Sequence, residues 1–226
     1  SKKDWGGLAT GVVEGSEVIV ELHQPISMGT TAPILIDQIV YGYRSLLLYP
    51  GSQAAVERGP FGNSGACNIN VNCPEGALWA TEKRSVALIV QGGFAACTGA
   101  LINNTLNDGT PYFLTANHCL GNPAAWLYYF NHESATCDGN TGPTNQSVSG
   151  GTMLVSNGAS DYALLELSET PPASFNVQYA GWDASGDTPL NATGIHHPSG
   201  DVKKICFEED SPYFASAGGA AVWMID

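Results

Sequence analysis

Basic side chains are scarce in this sequence: 8 Lys and Arg stand against 21 Asp and Glu, for a net charge of -13. That balance argues against a nucleic-acid partner, because phosphate binding needs a concentration of Lys and Arg. Long hydrophobic runs are missing as well, and none approaches the roughly 20 residues that a membrane helix needs. The opening residues, SKKDW, lack the apolar stretch of a signal peptide, so any such segment is expected to have been removed already or to lie outside these residues. No C-x-x-C pair occurs among Cys67, Cys73, Cys97, Cys119, Cys137 and Cys206, which argues against a thiolate zinc knuckle. Internal repeats, heptads and low-complexity tracts are absent too.

What is present is glycine, 27 residues, and short apolar runs separated by Gly, Asn, Pro and Ser. That pattern predicts many strands and turns instead of helices. An even number of dispersed cysteines in such a chain predicts disulfides and an oxidising compartment, hence a secreted protein. The 226 residues suffice for one large or two modest domains.

Three regions follow from the composition. Residues 1–48 contain the β-prone runs VIVELHQP and ILIDQIVYGYRSLLL and predict a small β-rich unit. Residues 49–66 have no hydrophobic periodicity and read as a linker. Arg58 lies within it, either as a processing site on extended backbone or as an ordinary solvated residue. From residue 67 onward the strand signals are dense: SVALIVQ, ACTGALI, PYFLTA, AAWLYYF, GTMLVS, DYALLEL, NVQYAGW, TGIHH and AAVWMI. Short strands at this spacing predict a barrel or sandwich.

The residues able to do chemistry start with His118, in FLTANHC, and Asp161, in SDYALLEL. Histidine takes and returns a proton near neutral pH. A carboxylate on its other ring nitrogen would hold its tautomer and stabilise the imidazolium. His196, His197 and Asp201 form a second cluster. Adjacent strand histidines point to opposite faces, so the cluster reads as a strand end and turn in preference to a metal site. His132 has no partner motif and reads as a surface or cross-strand residue. Ser64 and Ser199 read as turn serines.

Taken together, CTGALI, FLTANHC and SDYALLEL resemble, in order and spacing, the trypsin-like serine proteases. SGACNINVNCPEG, AGWD and IHHPSGDVKKI extend the resemblance to the secreted bacterial lysyl endopeptidases, over roughly residues 62–226. The resemblance implies an all-β, chymotrypsin-like double β-barrel, its second barrel incomplete in this chain, preceded by a pro-region at 1–48. It implies peptide-bond hydrolysis without a cofactor, with His118 and Asp161 catalytic, a polypeptide as substrate, and the chain's own pro-region or a carboxy-terminal fragment as partner. It also implies the pairs Cys97–Cys119 and Cys73–Cys137. The partners of Cys67 and Cys206 stay open.

Two departures stand out. Asn117 occupies a position where the resembled motif has Ala or Asp. The nucleophile of the family is a serine in a Gly-rich loop beyond a strand like AAVWMID, and the 226 residues stop before that loop. A polypeptide of these residues alone is thus expected to hold base and orienter without a nucleophile, as a precursor or fragment. The alternative function is a non-catalytic, protease-like binding or cargo module.

Overall fold

The computed structural model describes residues 64–65, 67–217 and 220–225, together with positions 10, 13, 17–21, 36 and 39. Residues 17–21, within the first β-prone run, are exposed and carry no regular structure. Apart from the isolated positions 10, 13, 36 and 39, the rest of the predicted pro-region lies outside the described residues, as does Arg58. The architecture is all-β with a few short 3₁₀ segments.

Seven strands form one antiparallel sheet: β2 (Val86–Gln91), β3 (Phe94–Ile102), β4 (Tyr112–Thr115), β5 (Leu127–Phe130), β6 (Ser147–Ser149), β7 (Gly151–Asn157) and β8 (Tyr162–Leu167). Their order is β6-β5-β2-β3-β4-β8-β7. The two end strands are separated only by Gly150, so the sheet closes on itself as a six-stranded barrel. Gly150 makes the closure visible: its N–H donates to the Trp126 carbonyl at 2.8 Å and its carbonyl accepts from the Ser168 N–H at 2.9 Å. Its φ of 75° lies where glycine is favoured, and the strand bends there to serve both neighbours.

The period-two alternation of the strands fills the barrel. Ala87, Ile89, Leu101, Phe113, Trp126, Tyr128, Phe130, Val148, Leu165 and Leu167 point inward and form one core. Phe113 and Tyr128 meet edge to face, with centroids 5.0 Å apart. Gly99 gives Phe113 its place, since a Cβ there would sit 2.3 Å from the Phe113 ring. The opposite faces of β2 and β5 present Leu88, Val90 and Tyr129 to a smaller cluster.

Outside the barrel, β1 (Ile69–Asn70), β10 (Lys204–Glu208) and β9 (Ala192–His196) form a three-stranded sheet, while β11 (Tyr213–Ala217) and β12 (Ala220–Met224) form a hairpin. One expectation needs correction. NVQYAGW does not form a strand; it makes a single parallel bridge, Ile102 with Ala180. Apolar composition sufficed to suggest a strand, but the run meets the sheet only at the end of β3, where the Asn103 N–H donates to the Ala180 carbonyl and the Ala180 N–H to the Leu101 carbonyl, both at 2.8 Å.

Candidate active site

β4 and β8 are antiparallel neighbours with Thr115 opposite Ala163. That register carries the residues just after β4 alongside those just before β8, and so brings His118 to Asp161. His118 sits in the 3₁₀ turn Asn117–Cys119, which is closed by the Leu120 N–H on the Asn117 carbonyl at 2.9 Å. Gln91 Nε2 holds the turn from β2 by donating to the Cys119 carbonyl at 2.8 Å. Cys119 is bonded to Cys97 on β3, with Cα atoms 6.2 Å apart and a sequence separation of 22. A second disulfide joins Cys73 to Cys137, while Cys67 and Cys206 are free and exposed.

Replacing Cys97 and Cys119 by Ala is expected to lower the free energy of unfolding by about 3 kcal/mol, from the entropy the crosslink removes from the unfolded chain. A lower denaturant midpoint at nearly constant slope is the measurement that checks it.

The dyad itself is doubly joined. His118 Nδ1 lies 2.6 Å from Asp161 Oδ2, and the His118 backbone N–H donates to Asp161 Oδ1 at 2.9 Å. The Asp161 carbonyl also accepts from the Asn117 N–H, at 3.1 Å. Asp161 adopts a φ of 48°, and the turn before it is held by Asn157, whose Oδ1 accepts from the N–H groups of Ala159 and Ser160 at 2.8 and 3.0 Å. The His118 backbone N–H, then the His118 ring, hold the Asp161 carboxyl below its usual range. Asp161 is therefore ionised at neutral pH, and a neutral His118 ring carries its proton on Nδ1. The imidazole is left with Nε2 as an acceptor. Side-chain exposures of 71% for His118 and 43% for Asp161 leave that nitrogen accessible.

His118 also lies near Cys97 and Cys119, but both sulfurs are consumed in the disulfide and are unavailable to a metal.

The model of the family described as "Lysyl endopeptidase, C-terminal domain" matches residues 61–225. The chain belongs to that family. A lysyl endopeptidase of Pseudomonas aeruginosa is 32% identical over 216 residues, covering 85% of this chain and 44% of the relative. The chain thus spans less than half the length of the curated relative it matches. Among solved structures, the MamO protease domain of Magnetospirillum magneticum aligns with a TM-score of 0.38 at 13% identity, over 64% of this chain and 70% of that one. That likeness is too low to carry an argument.

In this lysyl endopeptidase-family chain the second histidine cluster is a buried polar seam. His197 donates from Nδ1 to the Asp201 carbonyl at 2.8 Å and from its backbone N–H to Thr98 Oγ1 at 2.9 Å. Thr98 in turn accepts at its carbonyl from Thr115 Oγ1, at 2.8 Å, so one β3 residue touches both the strand leading to His118 and the His197 turn. Asp201 Oδ2 accepts from the backbone and hydroxyl of Ser64, at 3.1 and 2.6 Å. Ser64 therefore spends its hydroxyl on Asp201. Ser199 lies in the turn Pro198–Gly200 with a φ of 52°.

Of the two places the sequence offered for His132, the surface is ruled out by its burial, and it lies just beyond β5 and not within a strand. It is 3% exposed and stacks on His197 with ring centroids 6.0 Å apart. No local motif could signal that pairing, because it is made by two segments that are distant in sequence. Beside it, the fully buried Lys203 donates to the Lys83 carbonyl at 2.7 Å and lies 3.5 Å from Glu133, which Lys83 also contacts at 2.7 Å. Burial pushes Lys203 down to about 8, against the opposing pull of Glu133.

Burial holds His197 well below the usual histidine value, with the nearby Lys203 charge acting in the same direction, and burial also lowers His132 and His196. The folded state thus keeps these rings neutral where an unfolded chain would protonate them. The associated stability is fully present above the unfolded value of about 6.5 and is lost as pH falls toward the lower folded values. The expected result is a melting temperature that declines on acidification from neutral pH. His197→Asn, which retains a donor for the Asp201 carbonyl, should flatten the decline.

Proposed function

We propose that this chain is the protease portion of a secreted serine endopeptidase, with His118 as general base and then acid and Asp161 as the group that orients it. The observation carrying the reading is the double contact of Asp161 with His118, one oxygen on the ring and the other on the backbone N–H. A single contact fixes distance; two fix the plane of the carboxylate and hence the direction in which Nε2 points. In the proposed reaction, Nε2 accepts the proton of a serine hydroxyl as it attacks the peptide carbonyl, then returns that proton to the leaving amine. Asp161 stays ionised throughout and stabilises the imidazolium. The serine and the oxyanion-binding amides are proposed to come from sequence outside these residues. Cleavage after lysine is proposed from the name of the Pseudomonas relative. Secretion is supported by the two disulfides, which persist in oxidising surroundings.

The test uses the full-length protein with peptides that differ only in the residue before the scissile bond, together with a fluorophosphonate probe. Turnover of the lysyl peptide and stoichiometric labelling of one serine are expected. A polypeptide of residues 1–226 alone should take no label. Full-length protein that binds peptides without cleaving them would favour the non-catalytic binding module.

A further inference from the structure

Asn157 and Gly158 form the one Asn-Gly pair in the 226 residues, and it lies in the turn that delivers Asp161. Both residues are exposed. Glycine is not demanded here by conformation, because Gly158 is not among the positive-φ glycines. Nor does space demand it: a Cβ would meet only Asn117 Nδ2, at 3.5 Å, an ordinary contact. What glycine does supply is a backbone nitrogen with no side chain shielding it from the preceding Asn157 amide.

We propose that Asn157–Gly158 is a site of spontaneous deamidation, and that the isoaspartyl product disables the turn presenting Asp161. The Gly158 nitrogen loses its proton and attacks Asn157 Cγ, forming a five-membered succinimide as the Asn157 nitrogen leaves as ammonia. Water then opens the ring at one of its two carbonyls and leaves aspartate or isoaspartate. The balance is one amide and one water converted to one carboxylate and one ammonium, with no redox change. The turn is arranged to help the first step. Developing negative charge on Oδ1 meets the two N–H groups it already accepts from, Ala159 at 2.8 Å and Ser160 at 3.0 Å, the arrangement that stabilises tetrahedral intermediates of acyl transfer.

The two products differ in consequence. Aspartate at 157 retains a side-chain oxygen for Ala159 and Ser160. Isoaspartate routes the main chain through the former side chain and adds a methylene between Asn157, which pairs with Tyr162, and the residues leading to Asp161. The 2.6 Å contact to His118 depends on that register. The effect on activity rests on the proposed role of Asp161; the modification itself does not.

The experiment incubates the full-length protein at mildly alkaline pH and follows residue 157 by peptide mass mapping with isoaspartate detection, while activity is assayed in parallel. The expected result is exchange of the Asn157 amide for a carboxyl, an isoaspartyl share among the products, and activity lost in step with that share. Gly158→Ala should begin with unaltered activity and convert more slowly, on the order of tenfold, because its Cβ shields the nitrogen. Asn157 recovered intact would overturn the proposal, as would equal rates in the two proteins. Isoaspartate accumulating at full activity would overturn the link to Asp161. The mass readout remains decisive even if the protein hydrolyses no peptide.

Discussion

In the full-length protein, His118→Ala is expected to lower kcat by about a millionfold while KM changes little. The reason is the position of the ring: Nδ1 is engaged by Asp161 and Nε2 is open, so the side chain is placed for the proposed proton transfer and contributes hardly at all to packing. At 71% exposure the imidazole fills no part of the core, and the turn that carries it is held independently by Gln91 and the Cys97–Cys119 bond. The melting temperature should consequently stay close to that of the parent. Steady-state kinetics and a thermal scan on the same preparation check both halves. A variant within tenfold of the parent rate would remove His118 from the mechanism.

Asp161→Asn should lower kcat by about four orders of magnitude, again with little change in KM. The asparagine oxygen can still accept from the His118 backbone N–H, so the turn keeps its shape. Its NH₂ would then face His118 Nδ1, which must become the acceptor, and the ring proton moves to Nε2. The base is present but holds its proton on the wrong nitrogen. Asp161→Ala discriminates further: it loses the backbone contact as well and should loosen the turn. If Asn and parent proteins were equally fast, the 2.6 Å contact would be structural only.

Much of the barrel was legible because its strands obey simple rules. DYALLEL alternates so that Ala163, Leu165 and Leu167 are buried, which is what a half-buried strand requires. SVALIVQ is apolar on both faces, and its strand packs against two clusters. Strands whose composition is mixed were not read: β1 is two residues long, β6 is three, and β10 begins with lysine. Lys204 is nevertheless buried, because its ammonium donates to Asn70 Oδ1 at 2.7 Å and lies 3.7 Å from Asp201. Residue type predicted exposure there, and a partner supplied by the fold reversed it.

For the candidate site, His118 and Asp161 were found as words in the sequence, whereas their supports were not. Gln91 and Thr98 act through backbone contacts with segments that only the closed barrel brings near, whereas Asn157 bonds the backbone two and three residues on. A Gln at the end of one strand carries no mark that its amide will brace the turn bearing His118. The polar seam around His197 was hidden for the same reason, since its members come from residues 64 to 204.

The joint at Gly150 also bears on how the molecule assembles. One continuous stretch, residues 147–157, has its first part zipped to β5 and its last to β8, each its neighbour along the chain. The ring closes only where β2 meets β5 and β4 meets β8, strands that do not follow one another in the chain. Ring closure must join contacts far apart in sequence, an entropic burden that slows folding. The same geometry acts in reverse. Peeling off this stretch breaks two ladders together, so the amides of the barrel should exchange with solvent as one cooperative block, later than those of the open three-stranded sheet.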